Sequence, residues 1–250
     1  MARRIQAGFN GHTMKLLVSL HNALALRRSL HAIAPALLAA LAFGARAIAA
    51  DDPPATTPEG LELVKSERLD VVYWRPGATL AAYKRVALAD ATVAFQKSWI
   101  EEQNRPRKIY KADADDMQRI RGLVAQEFRT VFTRELAERG KYEIVDKPAD
   151  DVLLLRPSII DLVVAAPDVG APGMVVNYVT STGEMTLLLE LYDSVTNALI
   201  GRVIDRQHGS DVEGFLITDR ITNQAEADRI LTIWASTLRE ALDAGWSGHP

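Results

Sequence analysis

The chain has 250 residues, 48% of them hydrophobic, with 29 Lys+Arg against 32 Asp+Glu and no cysteine. Six basic residues (Arg3, Arg4, Lys15, Arg27, Arg28 and Arg46) and no acidic ones precede Asp51, so the remainder holds 23 basic against 32 acidic residues, a charge of −9. That balance argues against a nucleic-acid partner, which needs a basic face, and the missing cysteine excludes disulfides, a thiolate nucleophile, a cysteine-ligated metal and a lipidated cysteine at a signal cleavage point.

Residues 1–50 read as an export signal. Arg27 and Arg28 close a basic segment, Ala32 to Phe43 is an apolar run, and Gly44 breaks it. Small residues follow, with cleavage triplets ending at Ala49 and Ala50. A spanning helix needs about 20 apolar residues; this run is shorter, holds Pro35 and soon meets Arg46. The expectation is a signal cleaved near Ala49/Ala50, a periplasmic mature protein and no stable membrane span within it. Met14 is a second candidate start, and Arg27-Arg28-Ser29-Leu30 leaves twin-arginine export beside the general route.

Residues 51–60, with Pro53, Pro54 and Pro58, are expected as an extended, solvated leader. Residues 61–246 are expected as one α+β domain, and 247–250 as a tail. Leu69 to Trp74 suits a short strand that Arg75-Pro76-Gly77 stops. Tyr83 to Phe95 alternates as a strand with a bulge near Asp90. Gln96 to Lys111 reads as a polar, basic loop around Trp99. Asp113 to Arg139 reads as a long helix: Met117, Ile120, Val124, Phe128, Val131 and Leu136 form one stripe. Its aspartates sit where the macrodipole favours anions, and Gly140 follows its last turn.

Tyr142 to Val145 is a short strand, and Val152 to Val164 a longer one. Pro157 places the latter at a sheet edge or a bulge. Ala165 to Gly183 is a long connection rich in Pro and Gly, and Met174 to Val179 within it is an extra strand or a flap. Glu184 to Asp193 and Leu199 to Gly209 form a hairpin across Ser194-Val195-Thr196-Asn197, with Asn197 suited to a left-handed conformation. Asn223 to Ala244 is a second long helix, with Asn223 and Glu226 as a capping box and a stripe through Ile230, Leu231, Trp234 and Leu238. The pattern predicts a mixed sheet of about five strands with two long helices packed on it.

Chemistry-bearing patterns are sparse. There is no Gly-x-Ser-x-Gly elbow and no phosphate-binding glycine loop. A calcium loop opened at Asp113 would need glycine and glutamate at its sixth and twelfth positions, where Gln118 and Val124 stand. Asp205, His208, Asp211 and Glu213 form the one acid–base cluster. A zinc or general-base role competes there with a surface strand end ion-paired to Arg202 and Arg206. No catalytic residue, cofactor or metal is assigned. Candidate partner or ligand contacts are Trp99, Arg105 and Arg107 in the basic loop, Met174, Val176 and Tyr178 in the long connection, and His208.

The strand ending Val93-Ala94-Phe95 before Trp99, the long helix, the Val152 to Val164 run, and the hairpin Leu189-Glu190-Leu191-Tyr192-Asp193-Ser194-Val195-Thr196-Asn197 ahead of a Trp-bearing last helix resemble the domain-of-unknown-function 3313 family. Its members are bacterial cell-envelope proteins, many of them lipoprotein-like. The resemblance implies an envelope location and carries over no catalytic residue. The absent cysteine departs from the lipoprotein members and implies a soluble periplasmic form. The expected function is a non-enzymatic binding or structural module whose partner is an envelope protein or component. The alternatives are a small-ligand or lipid carrier with residues 165–183 as a lid, and a hydrolase built around Asp205, His208 and Asp211.

Overall fold

The computed structural model describes residues 52–106, 112–164, 177–181, 183–209, 211–218 and 220–248, through the backbone alone for 177–181, 211–218 and 220–223. Strands and helices follow the order β1 (Glu62–Val64), β2 (Val71–Trp74), β3 (Arg85–Leu88), β4 (Thr92–Phe95), α1 (Lys97–Gln103), α2 (Ala114–Thr133), β5 (Glu143–Ile144), β6 (Val152–Val163), β7 (Asn177–Ser181), β8 (Glu184–Asp193), β9 (Leu199–His208), β10 (Asp211–Thr218) and α3 (Arg220–Asp243). The architecture is α+β. Eight strands make a mixed sheet in the order β1-β2-β9-β8-β6-β3-β5, with β4 also paired to β6, while β7 and β10 form a separate two-stranded ribbon. The sheet is therefore larger than the five strands expected, and there are three helices rather than two.

The β8–β9 hairpin is the spine. Asn197 takes a φ of 54° in its turn, as its short polar side chain permits. The Asp193 carboxylate fixes the turn by accepting from the backbone N–H groups of Val195 and Thr196. Met185, Leu187, Leu189 and Leu191 alternate onto the face that packs on the helices. On α2, Ile120, Phe128, Val131 and Phe132 are buried there, joined on α3 by Ile230, Leu231, Trp234, Ala235, Leu238 and Leu242. The two predicted stripes are thus the inner faces of α2 and α3.

Asp113 caps α2 reciprocally: its carboxylate accepts from the Asp116 N–H while the Asp116 carboxylate accepts from the Asp113 N–H. At its far end α2 widens into a π turn, Arg134–Glu138, where the Arg139 N–H reaches back to the Arg134 carbonyl. Gly140 follows because a Cβ there would stand 2.4 Å from the Leu136 oxygen.

Three local expectations are corrected. The loop after β4 contains a helix, α1, which buries Trp99 and Gln103 one turn apart; seven residues are too few to show helical periodicity among polar neighbours. Strand β6 is internal rather than an edge: β8 pairs antiparallel on one side, β3 and β4 parallel on the other. Strand β6 does carry a bulge, but further on, between Ile160 and Val163, where Asp161 takes a φ of 54°; at Pro157 itself the relief is the gap between β3 and β4. The Leu155 carbonyl accepts from Ala89 on the β3 side, so Pro157, two residues on, turns its missing N–H toward the break between β3 and β4. Helix α3 begins at Arg220, which places Asn223 inside it rather than at its cap. In the long connection, residues 177–181 form β7, the extra strand among the options; residues 165–176 lie outside the described residues, as does the whole segment 1–50 read above as an export signal.

The leader stays exposed, yet it is fastened. Leu63 N–H donates to the Ala55 carbonyl, Tyr73 Oη–H to the Pro54 carbonyl, and Leu61 is fully buried with Tyr73 and Leu199 in a second small cluster. At the other end, Trp246 meets Trp74 edge-on at 4.6 Å. Among the described residues no helix is long and apolar enough to cross a membrane.

Trp74 lies against Gly201, its register partner on β9. A Cβ on Gly201 would stand 2.4 Å from Trp74 Cε3 and Cζ3. Gly201→Ala is expected to destabilise the fold by about 1–3 kcal/mol through overpacking, read as a lower denaturant midpoint at unchanged slope.

Candidate functional site

The hairpin sorts the candidate residues by parity. On β9, Asp205 and Gln207 point to the helix side of the sheet, while Arg202, Ile204, Arg206 and His208 point to the opposite, open side. The acid–base cluster is divided by that alternation.

Asp205 is 1% exposed. Its Oδ2 accepts from Trp234 Nε1 at 2.7 Å and from Gln207 Nε2 at 2.8 Å, and its Oδ1 accepts from the Asp70 backbone N–H at 2.9 Å. The Asp70 carboxylate in turn accepts from the Arg206 N–H. The carboxylate is thus committed to joining β9, α3 and the segment before β2. This corrects the surface placement expected for Asp205: neither Arg202 nor Arg206 is its partner.

Those arginines serve the open face, where register partners form cross-strand rows. One row runs Tyr73, Arg202, Glu190, Arg156 over β2, β9, β8 and β6; the next runs Val71, Ile204, Leu188, Ser158. Arg202 donates from Nη2 to Glu190 at 2.7 Å and to Glu59 of the leader at 3.1 Å. Burial draws down the charge preference of Arg202, but its bonds to Glu59 and Glu190 outweigh it and raise its pKa. Burial likewise pulls the Glu59 carboxyl up, and the bonds from Arg202 bring it net below its usual range. Arg156 lies over the Tyr192 ring at 4.3 Å, and Tyr192 Oη donates to Glu190 at 2.8 Å.

At the far end of the open face Glu184 gathers three partners. Arg206 Nη2 lies at 2.7 Å, Gln96 Nε2 at 3.2 Å and His208 Nδ1 at 3.2 Å. The His208 side chain is 58% exposed, and its backbone oxygen accepts from Arg229 of α3.

The other candidates scatter. Trp99 is only 7% exposed, stacks on Phe95 at 4.6 Å and donates Nε1–H to the Val164 carbonyl, which makes it a core residue rather than a contact. Arg105 is exposed and pairs with Glu102 in the same turn. Tyr178 lies on β7, opposite Ile217 of β10. Arg107, Met174 and Val176 lie outside the described residues. A surface cavity of about 410 Å³ opens where α1 meets α2, lined by Asn104, Ala112, Asp113, Ala114, Met117 and Arg121. Its acid is already the α2 cap, and Arg121 sits over the Phe95 ring. Among the described residues no group of three or more His, Asp or Glu side chains is placed to hold a metal ion.

The charged row was half legible in the sequence. Once the hairpin turn is fixed at Ser194 to Asn197, Glu190 and Arg202 fall opposite each other. Glu59 and Trp234 reach their partners from 143 and 29 residues away, with no local pattern to announce either.

Removing the Asp205 carboxylate strands the Trp234 N–H among apolar neighbours, so Asp205→Ala is expected to cost about 3 kcal/mol, with the loss read by chemical denaturation. Burial, reinforced by a carboxylate partner, pushes the Tyr83, Tyr142 and Tyr192 phenols up to about 12. Their protonated forms are favoured by folding. The stability they contribute is whole below pH 10 and is lost as the pH rises from 10 toward 12. Ultraviolet titration of tyrosinate should therefore show these phenols ionising together with alkaline unfolding, and Tyr192→Phe should flatten that loss.

A model of the family described as "Protein of unknown function (DUF3313)" matches residues 58–238. No protein of curated function matches the chain. Among solved structures, a PelC dodecamer from Paraburkholderia phytofirmans matches at 13% identity and a TM-score of 0.35, covering 67% of this chain and 96% of that one. A DUF330 protein from Xanthomonas campestris matches at 16% identity and 0.32, covering 69% and 89%. A neuraminyllactose-binding hemagglutinin homolog from Helicobacter pylori matches at 11% identity and 0.25, covering 72% and 89%.

Proposed function

The chain belongs to the DUF3313 family, and from that premise we propose that it is an exported cell-envelope protein acting as a non-enzymatic binding or structural module. The observation that carries the reading is the division of its acid–base residues. Asp205 is buried on the helix side of β9 with three donors on its carboxylate, while His208 projects from the opposite side of the same strand. A sheet separates the two, so they cannot act on one substrate atom, as general acid–base work would require. Export rests on the basic, apolar and small-residue order of residues 27–50, with cleavage near Ala49/Ala50 and a periplasmic mature chain. The absent cysteine supports a form without a lipid anchor. The partner is then an envelope protein or component rather than a nucleic acid.

Two measurements test this reading. The full chain, expressed in a bacterium with two membranes, should yield a periplasmic product whose intact mass begins near Asp51; a product of full-length mass confined to cytosol or membrane overturns the export. A broad hydrolase screen on the purified product should give no turnover that His208→Ala removes. Turnover abolished by that change, with the fold intact by circular dichroism, would refute the non-enzymatic assignment.

A further inference from the structure

The ribbon of β7 and β10 is the continuation of the β8–β9 hairpin. Glu184 pairs with His208 in the hairpin, and Ser181 pairs with Asp211 in the ribbon, each three residues further out on its strand. The register is therefore unbroken across the junction. What breaks is the sheet, at a glycine on each strand. Gly183 takes a φ of 110°, a conformation that L side chains rarely adopt, and Gly209 donates its N–H to the Gly183 carbonyl at 2.8 Å.

The body side of this junction is clamped. Glu184, first in β8, holds Arg206, His208 and Gln96, and the His208 carbonyl is held by Arg229 of α3. Beyond the glycines the ribbon shifts register by three residues between Asp211 and Leu216, an irregularity of the kind that increases local twist. Among the described residues neither ribbon strand pairs with a third strand, and a two-stranded ribbon is marginal alone.

We infer that the β7–β10 ribbon is a hinged arm that swings as one unit on the Gly183–Gly209 pair. Its motion begins past the Glu184 clamp. It ends at α3, which starts at Arg220, two residues after the last residue of β10, so a swing of the arm pulls on the first turn of that helix. The inference is independent of the binding role proposed above.

A chain without cysteine allows spin labels at two chosen positions and nowhere else. In the full mature chain, a body pair at Leu123→Cys and Val195→Cys, both exposed, gives the reference width. An arm pair at Thr180→Cys and Val195→Cys should show a distance distribution at least about twofold broader. Gly209, unlike Gly183, has no left-handed φ, so an alanine there keeps an ordinary backbone conformation while restricting the joint, and Gly209→Ala should narrow the arm distribution toward the reference. Hydrogen exchange should show residues 177–181 and 211–218 opening together and faster than β8 and β9. An arm distribution as narrow as the reference, a width unmoved by Gly209→Ala, or unrelated exchange in the two ribbon strands would each overturn the hinge.

Discussion

One buried carboxylate ties this fold together. Asp205 stands on the helix side of β9 and receives a ring N–H from α3, an amide from its own strand and a backbone N–H from the segment ahead of β2. Of those donors, the Trp234 ring N–H comes from α3, the element that the strand pairing of β2 with β9 does not itself bring to Asp205. In a low-dielectric setting each bond is strong and each missing partner costly, so a satisfied network of this kind selects one docking of helix on sheet over its near neighbours. The apolar stripes of α2 and α3 supply most of the burial, but stripes of Leu, Ile and Phe tolerate a shift of a few ångströms that a hydrogen-bonded Asp–Trp pair does not.

The same strand explains why charge does not collect into a reactive cluster. Successive residues of a strand face opposite ways. Asp205 is drawn inward and Arg206 outward, and each finds its own partners on its own side. The open face is then a set of rows in which every arginine named here has a carboxylate across or beside it, from Glu59 and Glu190 at one end to Glu184 at the other. Arg202 is held with only 14% of its side chain exposed, between two glutamates that come from different parts of the chain. Such pairs hold the fold's charge in place more than they add to its stability.

The sequence carried the elements with strong periodicity: the two stripes, the four-residue turn with its left-handed Asn197, and the alternating leucines of β8. Each rests on neighbours within a few residues. Less legible were α1, too short and too polar to show a period, and the internal position of β6. Pro157 was read correctly as needing relief, but the relief is in the partner: β3 and β4 part where the proline has no N–H to offer. The Asp205 site was misplaced because charge and strand position suggest a surface, while the Trp234 that draws it inward is announced by nothing nearby.

The pairing of β2 with β9 has a consequence for how the chain reaches this state. Val71 lies opposite Ile204, 133 residues later. Among the described residues β2 has no strand neighbour but β9 and the three residues of β1, and β3 waits for β5 and β6, the latter 67 residues on, from Arg85 to Val152. The amino-terminal strands therefore cannot close a sheet on themselves. Loop closure over such spans precedes any reward in contacts, and pairing of this kind is slow. Strands β3, β5 and β6 can pair within the first two thirds of the chain, but β1 and β2 join that sheet only once β9, in its last third, is available.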